Sequence, residues 1–217
     1  KADHSKRMNF SIAKLIRLPS YYFWHLSARV QFAIRGVKWP KHLTIKGPLG
    51  LSAIGRIELG DHITIVNDSK YNRAGINHPT QLVAGRDAIL KIGNNVGMSG
   101  ASIYAESSIE IGDHVLLGAN ARIYDTDFHP IHFQDRVAGA PAKTAAVVIG
   151  EHVWLAANVT ILKGVHIGAR SVIAAGSVVT SDIPEDCLAG GIPAKVIRKI
   201  TENDLYNHPN SKLDNPN

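Results

Sequence analysis

Six aliphatic residues at intervals of six constrain this chain more than any other feature: Ile149, Leu155, Ile161, Ile167, Ile173 and Val179. A second register, Val153, Val159 and Val165, follows four residues behind the first and passes to the small Ser171 and Ser177. Gly, Ala, Asn and Ser fill most positions between. A period of six fits neither the helical 3.6 nor strand alternation. It fits short flat strands joined by tight corners, three faces to a coil, with one aliphatic side chain pointing inward per face. Small residues allow close turns, and glycine tolerates the positive φ that such corners need. The pattern predicts a hexapeptide β-helix, an all-β solenoid.

Length and composition agree. The 217 residues suffice for one domain, or one with a small appendage. Hydrophobic residues make up 45% of the chain but aromatics only 6%, as a narrow prism filled with Ile, Val and Leu would require. The net charge of +6 points to acidic partners: nucleic acid, a membrane surface or a phosphorylated ligand. No aromatic-interleaved basic motif supports nucleic acid. The single cysteine, Cys187, precludes an internal disulfide framework and fits a reducing compartment. With no apolar run of spanning length and no signal-peptide pattern, the expected location is the cytoplasm.

Along the chain, residues 1–42 read as an N-terminal helical cap. Between Phe10 and Trp39 apolar positions alternate with Lys14, Arg17, Arg29, Arg35 and Lys38, and Pro19 is expected to split two short helices. Such helices would cover the open end of a solenoid. A second reading is a basic amphipathic surface over residues 10–39 resting on anionic lipid. Residues 43–200 carry the repeats, with two interruptions. The stretch 66–88 reads as an inserted loop or an irregular coil. The excursion 124–147 is polar, holds two prolines and is too long for a corner, which makes it the place to look for chemistry. Residues 194–200 are short and basic. The tail, 201–217, opens with Thr201-Glu202-Asn203-Asp204, a short helix start, and reads as disordered from His208.

His129 stands at the centre of the excursion, after Asp125 and Asp127 and before Pro130. An imidazole there can accept a hydroxyl proton and pass it on. Either aspartate could orient the ring, or simply shape the turn. Other histidines fall differently: His62, His114 and His152 end a recurring Gly-Asp/Glu-His triplet, the mark of a repeated corner rather than of a ligand set. No phosphate loop of the P-loop or dinucleotide type is present. Lys195 and Arg198, in the basic segment, are therefore the candidate phosphate contacts.

These segments resemble the hexapeptide-repeat acyltransferases, in particular the maltose, galactoside and polysaccharide O-acetyltransferases. The resemblance rests on IGDHVLLGANARIYDTDFHP, VVIGEHVWLAANVTILKGVHIGARSVIAAGSVVTSDIP and AGGIPAKVIRKI, and covers residues 85–200. It implies a left-handed parallel β-helix, a homotrimer, and acetyl-CoA bound between subunits as a co-substrate that needs no metal. It places the catalytic base on His129 and donor contacts on Trp154, Ala157, Ala175, Thr180, Ser181, Lys195 and Arg198. Ser99 falls where sugar acetyltransferases use an acceptor-binding Asn, so Ser99, Asp125 and Asp127 form the expected acceptor side. Ala157 stands where relatives often carry Ser, and Ser181 where many carry Lys. The expected activity is acetyl transfer to a hydroxyl of a sugar or glycan. The alternatives are a non-catalytic β-helix scaffold and a metal-dependent hydratase of the same architecture.

Overall fold

In the computed structural model, which describes residues 21–205, the repeats wind into a parallel β-helix. Three sheets form its faces. The first has eight strands and begins with Leu43–Lys46, the second has six and begins with Gly50–Ala53, and the third has five and begins with Arg56–Leu59. Successive strands pass to successive faces, so each coil lays one strand on each. The sixfold residues make this work. Leu155 stacks between Leu117 and Ile173 on the first face. Ile161 stacks between Ile123 and Val179 on the second, and Ile149 between Ile111 and Ile167 on the third. All nine side chains are buried. Burying each contributes about 1.5–3 kcal/mol relative to exposure. Columns of like aliphatics leave little room for rings, which is why the core is poor in aromatics.

The corners correct one expectation. The left-handed backbone position between the third face and the first is held by His62, Asn95, His114, His152 and Arg170, at φ 56–61°. The glycine two residues earlier serves a different purpose. A Cβ on Gly150 would lie 2.6 Å from the amide nitrogen of Ala169 in the next coil, so the coils can approach only where that side chain is missing. The recurring Gly-Asp/Glu-His triplet is thus a corner, and its histidines pile up along one edge. The His114 and His152 rings stack with centroids 4.7 Å apart.

Two segments leave the coil. Residues 67–80 depart from the edge between the first and second faces, a shorter break than 66–88. Strand Gln81–Ala84 already pairs with Gly50–Ala53 and Ser102–Ala105, with Leu82 and Ala84 fully buried. Its polar first residue and lack of a complete hexad hide it from a search for period six. Asn120 pins this insertion: its Oδ1 accepts the Asn77 N–H at 2.8 Å and its Nδ2 donates to the Gly75 carbonyl at 2.8 Å. The second excursion leaves the edge between the second and third faces.

A helix across residues 21–34 covers the first coil. It buries Ala28 and Phe32, with Val37 after it, in the common core. His25 Nε2 accepts the Ile45 N–H at 3.3 Å, satisfying a donor near the open sheet edge. The expected break at Pro19 lies outside the described residues, as does the tail from His208. At the other end, Cys187–Gly191 pairs with Val172–Ile173 and then with an antiparallel strand, Ala194–Lys199, formed by the basic segment. Cys187 is buried. A short 3₁₀ helix, Glu202–Asp204, follows, capped by Thr201.

Candidate active site

The excursion that carries His129 has a rigid base. Strand Arg122–Tyr124 ends at Asp125, which is fully buried. One Asp125 oxygen accepts the Glu106 N–H and the other the Ser107 N–H, each at 2.7 Å. Its carboxylate thus holds the corner of the preceding coil. The expectation of Asp125 on the acceptor side is corrected: an inward-pointing carboxylate with both oxygens committed to backbone has no surface to offer. The chain then zips to the returning limb. The Asp125 carbonyl accepts the Ala145 N–H at 2.9 Å, Thr126 bridges Thr144, and the Asp127 N–H donates to the Lys143 carbonyl.

Above this stem the backbone reverses within three residues. The His129 N–H donates to the Asp127 carbonyl at 2.7 Å, with Phe128 between them at φ 60°. A tight turn around a bulky residue at positive φ is rare and strained, and persists only where its surroundings enforce it. Here the enforcement is visible. Thr126 Oγ1 accepts the Phe128 N–H, and the Phe128 ring packs on Tyr104 and Tyr124 at centroid distances of 5.0 and 5.2 Å. The result is a fixed backbone carrying an exposed imidazole. Beyond it, helix Phe133–Val137 closes the loop, and the Arg136 guanidinium donates to the Pro130 and Ile131 carbonyls.

Asp127 faces the next coil. Its Oδ1 lies 2.9 Å from Lys163 Nζ, and its Oδ2 is buried with no hydrogen-bond partner among the described residues. Beside the stem runs a groove lined by Tyr104, Glu106, Thr126, Phe128, Pro141 and Thr144. Burial, with Glu106 nearby, pushes the Tyr104 phenol above its ordinary value, so it remains a proton donor at neutral pH.

The other expected residues sort onto the edges and faces of the prism. Thr180 and Ser181 are exposed on the edge that also carries the stem and Lys163. Ser99, Ala157 and Ala175 share the opposite edge of the second face, one per coil: the Ser99 carbonyl accepts the Asn120 N–H, and the Ala157 carbonyl accepts the Gly176 N–H at 2.9 Å. Trp154 projects from the first face, 49% exposed. Lys195 and Arg198 lie on the closing hairpin. Lys195 is exposed and has no ion-pair partner among the described residues. Arg198 is already engaged, with its two terminal nitrogens 2.8 and 2.5 Å from the Asp204 carboxylate. That guanidinium holds the Asp204 carboxyl down to about 2.

Sequence reasoning missed Lys163, Phe128 and Asn120. Nothing marks Lys163 in sequence, since its partner lies across a coil boundary. Asn120 carried a usable signal: asparagine is among the few residues that visit the left-handed region readily, as it does here at φ 60°. The cluster His42, Asp61 and His62 could gather ligand atoms within 4.8 Å, but Asp61 Oδ1 is committed to the backbone N–H groups of His42 and His62.

Comparison with known proteins fits this architecture. A family model described as bacterial transferase hexapeptide (six repeats) matches residues 146–181, and one described as hexapeptide repeat of succinyl-transferase matches residues 108–123. A putative acetyltransferase of Saccharomyces cerevisiae is 50% identical over 98 residues, covering 45% of this chain and 49% of its own length. A galactoside O-acetyltransferase of Lactococcus lactis is 42% identical over 128 residues, 55% of this chain and 60% of its own. The chain thus spans about half to three-fifths of the curated relatives it matches. Among solved structures, a mutant of AntD, an N-acyltransferase from Bacillus cereus in complex with dTDP and coenzyme A, matches with a TM-score of 0.59 and 18% identity. The match covers 74% of this chain and 82% of that one, a likeness of fold. Repeats, coil and relatives agree that the chain carries the hexapeptide repeats of bacterial transferases, wound into a parallel β-helix.

Proposed function

We propose that this protein transfers an acetyl group from acetyl-CoA to a hydroxyl group, with a sugar or glycan as acceptor and His129 as general base. The observation that carries the reading is the enforced turn at Asp127–His129, which fixes an exposed imidazole at the tip of a strained and tightly held backbone. A general base must be positioned before its pKa matters. The acceptor class comes from the galactoside O-acetyltransferase relatives, and the donor from coenzyme A in the AntD complex.

The donor residues fit such a ligand. Ala157 and Ala175, one coil apart on the edge between the first and second faces, project little side chain, leaving room for a slender pantetheine arm there. Lys195, with no ion-pair partner among the described residues, offers its ammonium to a phosphate. In the proposed reaction His129 takes the hydroxyl proton as the oxygen bonds to the thioester carbon. The carbon–sulfur bond then breaks, and the proton passes to the departing sulfur. Backbone N–H groups of the scaffold would stabilise the oxygen that gains charge.

Two measurements on the same protein test this. Calorimetric titration with acetyl-CoA, beside Lys195→Ala/Arg198→Ala, reports on the donor site. His129→Ala should lower turnover by about 10²–10⁴ while leaving donor affinity nearly unchanged. Wild-type turnover in that variant would remove His129 from the mechanism. Absence of any coenzyme A binding by folded protein would instead favour a non-catalytic scaffold.

A further inference from the structure

The helix across residues 21–34 has two apolar faces, and the protein covers only one. Ala28 and Phe32 are buried in the core, with Tyr21 and His25 partly buried on the same side. Tyr22, Leu26, Val30 and Ile34 recur every four residues on another side, joined there by Phe23. These five are half to three-quarters exposed, from 50% at Val30 to 74% at Ile34. At 3.6 residues per turn they form a continuous arc. A helix apolar on both sides belongs between two apolar surroundings, and the β-helix supplies one.

Charge identifies the other. Between His4 and Ile57 the sequence holds ten lysines and arginines and no aspartate or glutamate. The remainder of the chain carries more acid than base, so the net charge of +6 comes from this quarter. Arg35, Lys38 and Lys41 are exposed just beyond the helix, and none has an ion-pair partner among the described residues. An apolar arc beside an acid-free cationic rim is complementary to a bilayer surface with anionic headgroups. No helix among the described residues is long and apolar enough to cross a membrane, so the fitting geometry is one lying in the interface.

We infer that this helix docks the protein on an anionic membrane surface, with Tyr22, Phe23, Leu26, Val30 and Ile34 in the headgroup layer and Arg35, Lys38 and Lys41 on the phosphates. The inference does not depend on the proposed chemistry. It would hold the first coil against the bilayer, with the coils that carry His129, Trp154 and Lys195 further from it.

Vesicle co-sedimentation of the full chain tests this, using phosphatidylcholine alone and phosphatidylcholine mixed with phosphatidylglycerol. Binding is expected only to the mixed vesicles and should weaken as salt is raised. Leu26→Glu/Ile34→Glu and, separately, Arg35→Glu/Lys38→Glu should each reduce partitioning by about tenfold or more. Both pairs are exposed, so thermal unfolding and acetyl-CoA titration should match wild type, which separates failure of docking from failure of the fold or of the proposed function. Three results would overturn the inference. One is no binding to anionic vesicles, and another is undiminished binding by Leu26→Glu/Ile34→Glu. The third is that the latter variant changes the protein's self-association instead, which would make a second copy the occupant of this face.

Discussion

Lys163 Nζ lies 2.9 Å from Asp127 Oδ1, joining a corner of the fifth coil to the turn that carries His129 in the fourth. The same two coils are linked nearby, where the Gly164 N–H donates to the Ala145 carbonyl at 3.0 Å. The ion pair therefore adds little to holding the coils together. What it fixes is the orientation of the Asp127 side chain, and with it the base of the His129 turn.

Lys163→Met should accordingly separate activity from stability. A partly exposed pair contributes at most about 1 kcal/mol, so thermal unfolding should barely move. Loosening the turn by a fraction of an ångström should lower kcat by about tenfold, because displaced catalytic groups lose rate steeply. The KM for donor should stay near wild type, and Lys163→Arg should recover part of the loss. Unchanged kcat in Lys163→Met would show that the turn is held by Thr126 and Phe128 alone.

Gly150→Ala should do the opposite. The added Cβ would meet the Ala169 backbone, which cannot move without parting two coils. Overpacking of this kind costs about 1–3 kcal/mol. A lowered midpoint in thermal unfolding, with residual activity per folded molecule close to wild type, is the expected result. A midpoint equal to wild type would mean that the coils can separate freely at this corner.

These contrasts show which features the sequence discloses. The coil was legible because each buried Ile or Val sits one hexad from the next, and the register of Leu155 on Ile173 repeats the sequence spacing. The location of the chemistry was legible too, because a long polar excursion stands out against a strict repeat. The division of labour inside it was not. Asp125 and Asp127 are two residues apart and chemically alike, yet one points into the prism and the other toward Lys163. That choice is made by contacts with neighbouring coils. Strand Ala194–Lys199 was hidden for a similar reason: it alternates poorly and gains its order by pairing with Cys187–Gly191.

Arg198 poses a sharper question, since a candidate phosphate contact is already bound to Asp204. Hydrogen bonding to Asp204 raises the guanidinium above its usual value, and the Asp204 carboxyl is drawn down to about 2. A depressed carboxyl stabilises the fold above its unfolded value near 4, and that contribution is lost as pH falls toward 2. The Thr201–Asp204 cap should therefore persist at neutral pH and loosen only in strong acid, as amide exchange at Thr201 and Asp204 would report. At neutral pH, Asp204→Asn should release Arg198 and tighten acetyl-CoA binding a few-fold. Unchanged affinity, together with no loss in Arg198→Ala, would assign Arg198 to the hairpin alone.

The prism imposes a last constraint. Trp154 projects from the first face, whereas the stem bearing His129 rises from the edge between the second and third faces, which lies opposite the first. Trp154 belongs to the fifth coil and His129 to the fourth, and two groups on opposite sides of one prism cannot both border a single acetyl group. If both belong to the site, they come from different chains, and the active species is an oligomer in which the first face of one copy meets the His129 edge of another. Complementation decides the matter. His129→Ala and Trp154→Ala should each be impaired alone, by about tenfold or more. When equal amounts are unfolded together and reassembled, a site shared between chains finds both intact residues in about a quarter of random pairings, and activity should return to that extent. A site within one chain recovers nothing on mixing. Failure to complement, with oligomers of both chains present, would take Trp154 out of the site and leave His129 acting with residues of its own edge.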